Sequence, residues 1–202
     1  PVTLSLVNEL DSVSSNGTPA WDSARYLREI LKAPVYEAAE HTPLQEMPAL
    51  SARLGNTVEV KREDLQTVHS FKIRGAYNAM RSLSPAERER GVVTASAGNH
   101  AQGVARSAAL LGMSAIIVMP TVTPQIKVDA VRALGGEFRL HGDNFDAAKA
   151  EATRLAEAEG LSYIAPFDDP RVIAGQGTIG LELIQQDAHL DRVFVPVGGG
   201  GL

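Results

Sequence analysis

Apolar positions recur at two periods along this chain and sort most of it into elements. Asp22 can cap a helix running to Lys32, with Leu27, Ile30 and Leu31 on one face and Pro34 beyond its end. Residues 35–48 read as loop, with a turn at Thr42-Pro43-Leu44, and Thr57-Val58-Glu59-Val60-Lys61 alternates as a strand does. Phe71, Ala76, Tyr77, Met80 and Leu83 return at helical spacing, which puts Lys72 in the first turn of a helix. From Gly91 the pattern is regular. Strands are predicted over 92–95, 115–119, 137–140, 161–165 and 193–197. Helices are predicted over 99–111, from Thr123-Pro124 to Gly135-Gly136, over 145–159, and from Asp169-Pro170 onward. Strands alternating with helices predict an α/β fold, with parallel twisted sheets flanked by helices.

Composition narrows the class. A chain of 202 residues with 44% hydrophobic side chains can bury a core of one or two domains. The net charge of -5, with no block of lysine and arginine, argues against a nucleic-acid partner. The absence of cysteine excludes disulfides and cysteine-ligated zinc, and fits a reducing compartment. None of the five histidines pairs with another at metal-ligand spacing, so no metal is expected. The longest uncharged apolar run, residues 108–120, is too short for a membrane span and is broken by Gly112 and Ser114. Pro1-Val2-Thr3 leads into a mixed polar segment unlike a signal peptide. These features predict a soluble, cytoplasmic protein with no membrane partner.

Three segments carry candidate chemistry. The first is Ser70-Phe71-Lys72-Ile73-Arg74-Gly75-Ala76. A lysine amine is protonated at neutral pH, but burial and the positive end of a helix both disfavour the ammonium form. A snorkelling surface lysine is the ordinary reading of any single lysine. The second segment changes that: Gly198-Gly199-Gly200-Gly201-Leu202 follows an apolar run, and glycines let several backbone amides wrap an anion. A nucleotide loop is the weaker alternative, since neither a Lys-Ser/Thr pair nor spaced dinucleotide glycines are present. An amine with a phosphate cradle is what a protein needs to hold pyridoxal 5'-phosphate. The third segment, Ser96-Ala97-Gly98-Asn99-His100, is a small polar turn opening a helix. Its plain reading is N-capping by Ser96 or Asn99, and a packed or capping role for His100. Its functional reading is carboxylate binding by Ser96 and the turn amides, with Asn99 donating to a phenolic oxygen. The Ala174-Gly175-Gln176-Gly177-Thr178 stretch suggests close helix packing, Asp143-Asn144-Phe145-Asp146 a helix cap, and Glu151, Glu157 and Glu159 a solvated helix face.

These segments, together with Lys61-Arg62-Glu63-Asp64 and the run from Val172 to Thr178, resemble the biosynthetic threonine dehydratases (threonine ammonia-lyases). The likeness extends from about Trp21 to Leu202. That family has the fold-type-II pyridoxal phosphate architecture, similar to the tryptophan synthase β subunit. The resemblance implies that Lys72 bonds the cofactor aldehyde and that Phe71 packs beside the cofactor. It implies that Asn99 contacts the ring oxygen and that Gly198, Gly199, Gly200, Gly201 and Leu202 hold the phosphate. Ser96, Ala97, Gly98, Asn99 and His100 would hold the substrate. It further implies β-elimination of threonine to 2-oxobutanoate and ammonia, or of serine to pyruvate, in isoleucine synthesis, by a homo-oligomer that is tetrameric at full length. Residues 1–90 would begin a large domain, 91–169 form a small one, and 170–202 return to the large one. The rest of the catalytic domain, with a serine facing the ring nitrogen, and a regulatory domain would follow. The chain is therefore expected to be a piece of a longer enzyme, poorly active alone.

Other readings make different demands. Serine racemases resemble the chain but place a proton-carrying serine where Ala97 stands, which favours elimination. Threonine synthase, cysteine synthase and a tryptophan synthase subunit share the fold, but the segments around Lys72 and Asn99 suit hydroxyamino-acid dehydratases better. Outside enzymes altogether, unfinished sheet edges would suit a non-catalytic module that associates with itself.

Overall fold

The computed structural model describes residues 21–202, so Pro1-Val2-Thr3 lies outside the described residues. Helix α1 (Ser23–Lys32) starts at Asp22, whose carboxylate accepts from the Arg25 amide at 2.6 Å. A short 3-10 turn (Val35–Glu37) leads to β1 (Leu44–Glu46), α2 (Pro48–Leu54) and β2 (Glu59–Lys61). Strands β1 and β2 pair antiparallel, with Leu44 opposite Lys61. Then come α3 (Lys72–Arg81), α4 (Pro85–Arg90), β3 (Val92–Ala95), α5 (Asn99–Leu111), β4 (Ala115–Met119) and α6 (Gln125–Ala133). The order finishes with β5 (Glu137–Leu140), α7 (Phe145–Glu159), β6 (Ser162–Tyr163) and α8 (Pro170–Gln186). Strands β3 to β6 form one parallel sheet in the order β5-β4-β3-β6. All five residues of β4 are buried, as a strand covered on both faces requires.

Several local expectations are corrected. Residues 193–197 form no strand, and Phe194 and Val197 are 88% and 81% exposed. Apolar composition confers the capacity to pair, but a strand exists only beside a neighbour, and no described strand lies there. The stretch 35–48 is more ordered than loop, because β1 acquires its conformation by pairing with β2. Helix α6 begins at Gln125, with Pro124 at its cap position and no side-chain cap, so Thr123 does not serve as one. At α5 the cap position is Gly98, again with no side-chain cap, which removes the capping reading of both Ser96 and Asn99. Ser96 Oγ instead accepts from the Gly98 amide at 3.2 Å. Asn144 and Asp169 do cap α7 and α8 through their side chains.

The main apolar cluster joins Ala76, Ala79 and Met80 of α3 to Val92 of β3, Val104 of α5 and Val172 of α8. Glycines permit that packing. A Cβ on Gly175 would lie 2.6 Å from the Arg74 carbonyl oxygen, so α8 crosses α3 main chain to main chain. The Gln176 side chain then accepts from the Gly75 amide at 3.1 Å. On the other side of α3, a Cβ on Gly103 of α5 would stand 3.1 Å from the Lys72 carbonyl carbon and oxygen. Two neighbouring helices thus grip α3 where it carries Lys72.

Candidate active site

Lys72 is the first residue of α3, next to Phe71 at the cap position, which makes no side-chain cap. The lysine is half-buried, and burial alone lowers its pKa from the ordinary value. Its Nζ donates to the Pro166 carbonyl oxygen. A depressed pKa increases the share of neutral amine, the form that attacks carbonyls and accepts protons.

Phe71, Lys72, Phe167 and the glycine loop of residues 198–202 line one cavity of about 190 Å³. The structure therefore brings together Phe71, Lys72, Gly198, Gly199, Gly200, Gly201 and Leu202 across 126 positions of sequence, Lys72 to Gly198. A larger hollow, about 300 Å³ between α1 and the end of α3, has Glu29, Lys32, Arg81 and Arg171 on its walls and neither the lysine nor the loop. The smaller cavity holds the chemistry.

Ser96, Ala97, Gly98 and Asn99 do not line that cavity; they form the turn from β3 into α5, with Asn99 exposed. The residues that flank this turn, Thr94 and His100, tie it to the segment beyond β6. The Ile164 carbonyl accepts from Thr94 Oγ1 at 2.7 Å and from His100 Nε2 at 3.1 Å, and two residues later the Pro166 carbonyl takes Lys72. His100 is 3% exposed, and its Nδ1 has no partner. Burial, with a smaller push from the Lys72 charge, lowers its pKa to about 4. It is neutral at pH 7, and its bond to a carbonyl puts the proton on Nε2.

Sequence reasoning missed the ionic cluster behind Lys72. Arg74, fully buried, donates to Glu182 at 2.5 Å and to Glu63 at 2.7 Å. Lys61 and Tyr36 also reach Glu182, at 2.5 and 2.7 Å. Burial would raise the Glu182 pKa, but these three donors together hold it below the usual range. The Arg74 pKa is raised: its two carboxylates outweigh the burial that would lower it. The cluster anchors α3 to α8 and to β2. No local pattern announces it, because Arg74 and Glu182 lie 108 residues apart and their burial is a property of the packed helices.

The residues present fit pyridoxal 5'-phosphate. A partly dehydrated amine shares a cavity with a loop in which a Cβ at Gly198 or Gly200 would meet nothing within 4 Å. Those positions leave the loop main chain accessible to an anion. The amides opening α5 lack a side-chain cap, which leaves donors for a carboxylate.

Comparison with known proteins agrees with that chemistry. Residues 35–202 match the family model described as pyridoxal-phosphate dependent enzyme. The chain is 64% identical over 192 residues to the L-threonine dehydratase biosynthetic IlvA of Escherichia coli, covering 95% of this chain and 37% of that protein. It is 58% identical over 178 residues to threonine dehydratase 2 of Solanum lycopersicum, covering 88% of this chain and 30% of that protein. The solved processed form of threonine deaminase isoform 2 from Solanum lycopersicum superposes with a TM-score of 0.87 at 56% identity, covering 90% of this chain and 51% of that one. Maize serine racemase gives 0.83 at 35% identity, covering 87% and 53%. The chain spans about a third of the length of the curated relatives it matches.

Proposed function

Because the chain belongs to the pyridoxal-phosphate dependent enzymes, we propose that it carries the lysine half of a threonine ammonia-lyase site. The observation that bears this reading is the shared cavity of Lys72 and the glycine loop. Lys72 Nζ would hold the cofactor aldehyde, Phe71 would pack beside the cofactor, and Asn99, on the turn outside the cavity, would be the donor to its ring oxygen. The amides of Gly198, Gly199, Gly200, Gly201 and Leu202 would hold the phosphate. Bound there, pyridoxal phosphate would supply an electron sink for the reaction.

The protein's own residues supply positioning and proton movement. Ser96 and the amides of Ala97, Gly98, Asn99 and His100 hold the substrate carboxylate at the uncapped start of α5. Lys72 Nζ, freed when the substrate's own amine takes its place on the cofactor aldehyde, would take the α-proton, a task that its lowered pKa favours. Loss of the β-hydroxyl as water, and hydrolysis by water afterwards, turn threonine into 2-oxobutanoate and ammonia with no further reactant; serine gives pyruvate. Ala97 carries no proton, so the residue needed on the opposite face for racemisation is missing at that position.

The same reading places the enzyme in isoleucine synthesis, in the cytoplasm, as a homo-oligomer. Among the described residues no helix is long and apolar enough to cross a membrane. The parallel sheet lies within residues 92–163, in keeping with a small domain over 91–169 between two segments of a larger one. The test is an absorption spectrum with added pyridoxal phosphate, then borohydride reduction, peptide mapping and assay of threonine for 2-oxobutanoate. A visible band and cofactor fixed on Lys72 are expected, both lost in Lys72→Ala. Cofactor fixed elsewhere, or ammonia release by Lys72→Ala, would overturn the assignment.

A further inference from the structure

The four glycines of the loop are not equivalent. A Cβ on Gly201 would lie 2.7 Å from Phe167 Cα and 2.8 Å from its carbonyl oxygen, and a Cβ on Gly199 would enter the Phe167 ring. Gly198 and Gly200 face open space. One side of the loop is therefore seated on Phe167, and the other is free. Among the described residues no hydrogen bond ties 193–202 to another element, so the contacts with Phe167 are what the structure shows holding this loop. At Gly199 and Gly201 the nearest neighbour is Phe167.

Phe167 also directly follows Pro166, whose carbonyl accepts from Lys72 Nζ. Two consecutive residues thus touch both halves of the site. They are anchored just upstream, where Ile164 accepts from Thr94 and His100. An aldehyde and a phosphate on one small molecule have a nearly fixed span. Amine and amides must be spaced to match it, and preformed spacing is where binding energy is retained.

Resting on the cofactor reading above, we propose that Phe167 is a positioning residue whose ring sets the distance between the glycine-loop amides and the Lys72 amine. It acts through the loop and touches no reacting atom. Removing the ring lets the loop drift while Lys72 stays where α5 and α8 hold it. Affinity that depends on amine and amides together then falls, and affinity for the amine alone does not.

Pyridoxal, which has the aldehyde and no phosphate, separates the two. Affinities for pyridoxal and pyridoxal phosphate are measured on the full chain by absorbance, with borohydride-trapped adduct on Lys72 as the second readout. Inorganic phosphate serves as competitor. In Phe167→Ala the preference for pyridoxal phosphate over pyridoxal should fall by about tenfold or more, with pyridoxal unchanged and phosphate competing more weakly. Phe167→Tyr, which keeps the ring, should restore the preference. Phe167→Leu keeps volume without the ring and replaces the alanine variant if that one does not fold. Equal loss for both aldehydes, or no loss for either, overturns the proposal while leaving the cofactor reading intact. No adduct with either aldehyde in the unaltered protein overturns both.

Discussion

Arg74 Nη1 donates to Glu182 Oε1 across 2.5 Å, with both side chains fully buried and 108 residues apart in sequence. A pair so placed contributes little net stability over an apolar substitute, but removing one partner strands the other in low dielectric. Glu182→Gln should therefore cost about 3–5 kcal/mol in denaturant unfolding. The double variant Arg74→Met/Glu182→Leu should lose less than the two single variants summed, which a double-mutant cycle measures.

Two glycine substitutions should behave in opposite ways. In Gly175→Ala the new Cβ meets the Arg74 carbonyl oxygen at 2.6 Å and Gly75 Cα at 2.7 Å, both main chain. Helices α3 and α8 must part, at about 1–3 kcal/mol in thermal unfolding. Gly198→Ala meets nothing within 4 Å, and Gly198 is not among the glycines of positive φ. Its stability should stay within about 0.5 kcal/mol of the parent. Its capture of pyridoxal phosphate should weaken, read in an absorbance titration, because the added methyl faces the open side of the loop.

His100 should impart a pH dependence to stability. Its pKa falls from 6.5 to about 4 on folding. Between these values the unfolded chain binds the proton and the folded one does not, so stability drops as pH falls from about 6.5 to about 4, then levels. The amplitude is about 3 kcal/mol at most. In His100→Gln, which retains an amide donor for Ile164, unfolding curves across that window should lose this component of the slope. An unchanged slope would show that His100 does not carry it.

Ser84 caps α4 far from Lys72 in a reciprocal box, its Oγ accepting from the Glu87 amide at 3.3 Å while Glu87 accepts from the Ser84 amide at 2.7 Å. Ser84→Ala should cost about 1 kcal/mol in denaturant unfolding and leave pyridoxal phosphate capture unaltered.

What the sequence discloses follows the range of the forces involved. Helix α3 and the place of Lys72 within it were legible because Phe71, Ala76, Tyr77 and Met80 encode a face locally. The strands over 92–95 and 115–119 were legible because they are buried on both sides. The Ser84–Glu87 box is equally local, as are Pro48 at the start of α2 and the left-handed Gly55 at its end, and none of the three figures in the expected elements. Strand β1 was not legible, since three residues with exposed Gln45 and Glu46 become a strand only opposite β2. For the site, amine and loop were legible as separate motifs. Phe167 and Pro166, which bring them together, carry no motif, and neither does a carbonyl such as that of Ile164.

The contact of Gly103 with the Lys72 main chain has a consequence for the spacing of the two helices. With no side chain between them, α5 and the start of α3 have nothing soft to compress at that crossing. The separation of the two helices at that point is set by main chain meeting main chain. A side chain at position 103 would push the helix that carries the Ser96–Asn99 turn away from the main chain that carries the lysine.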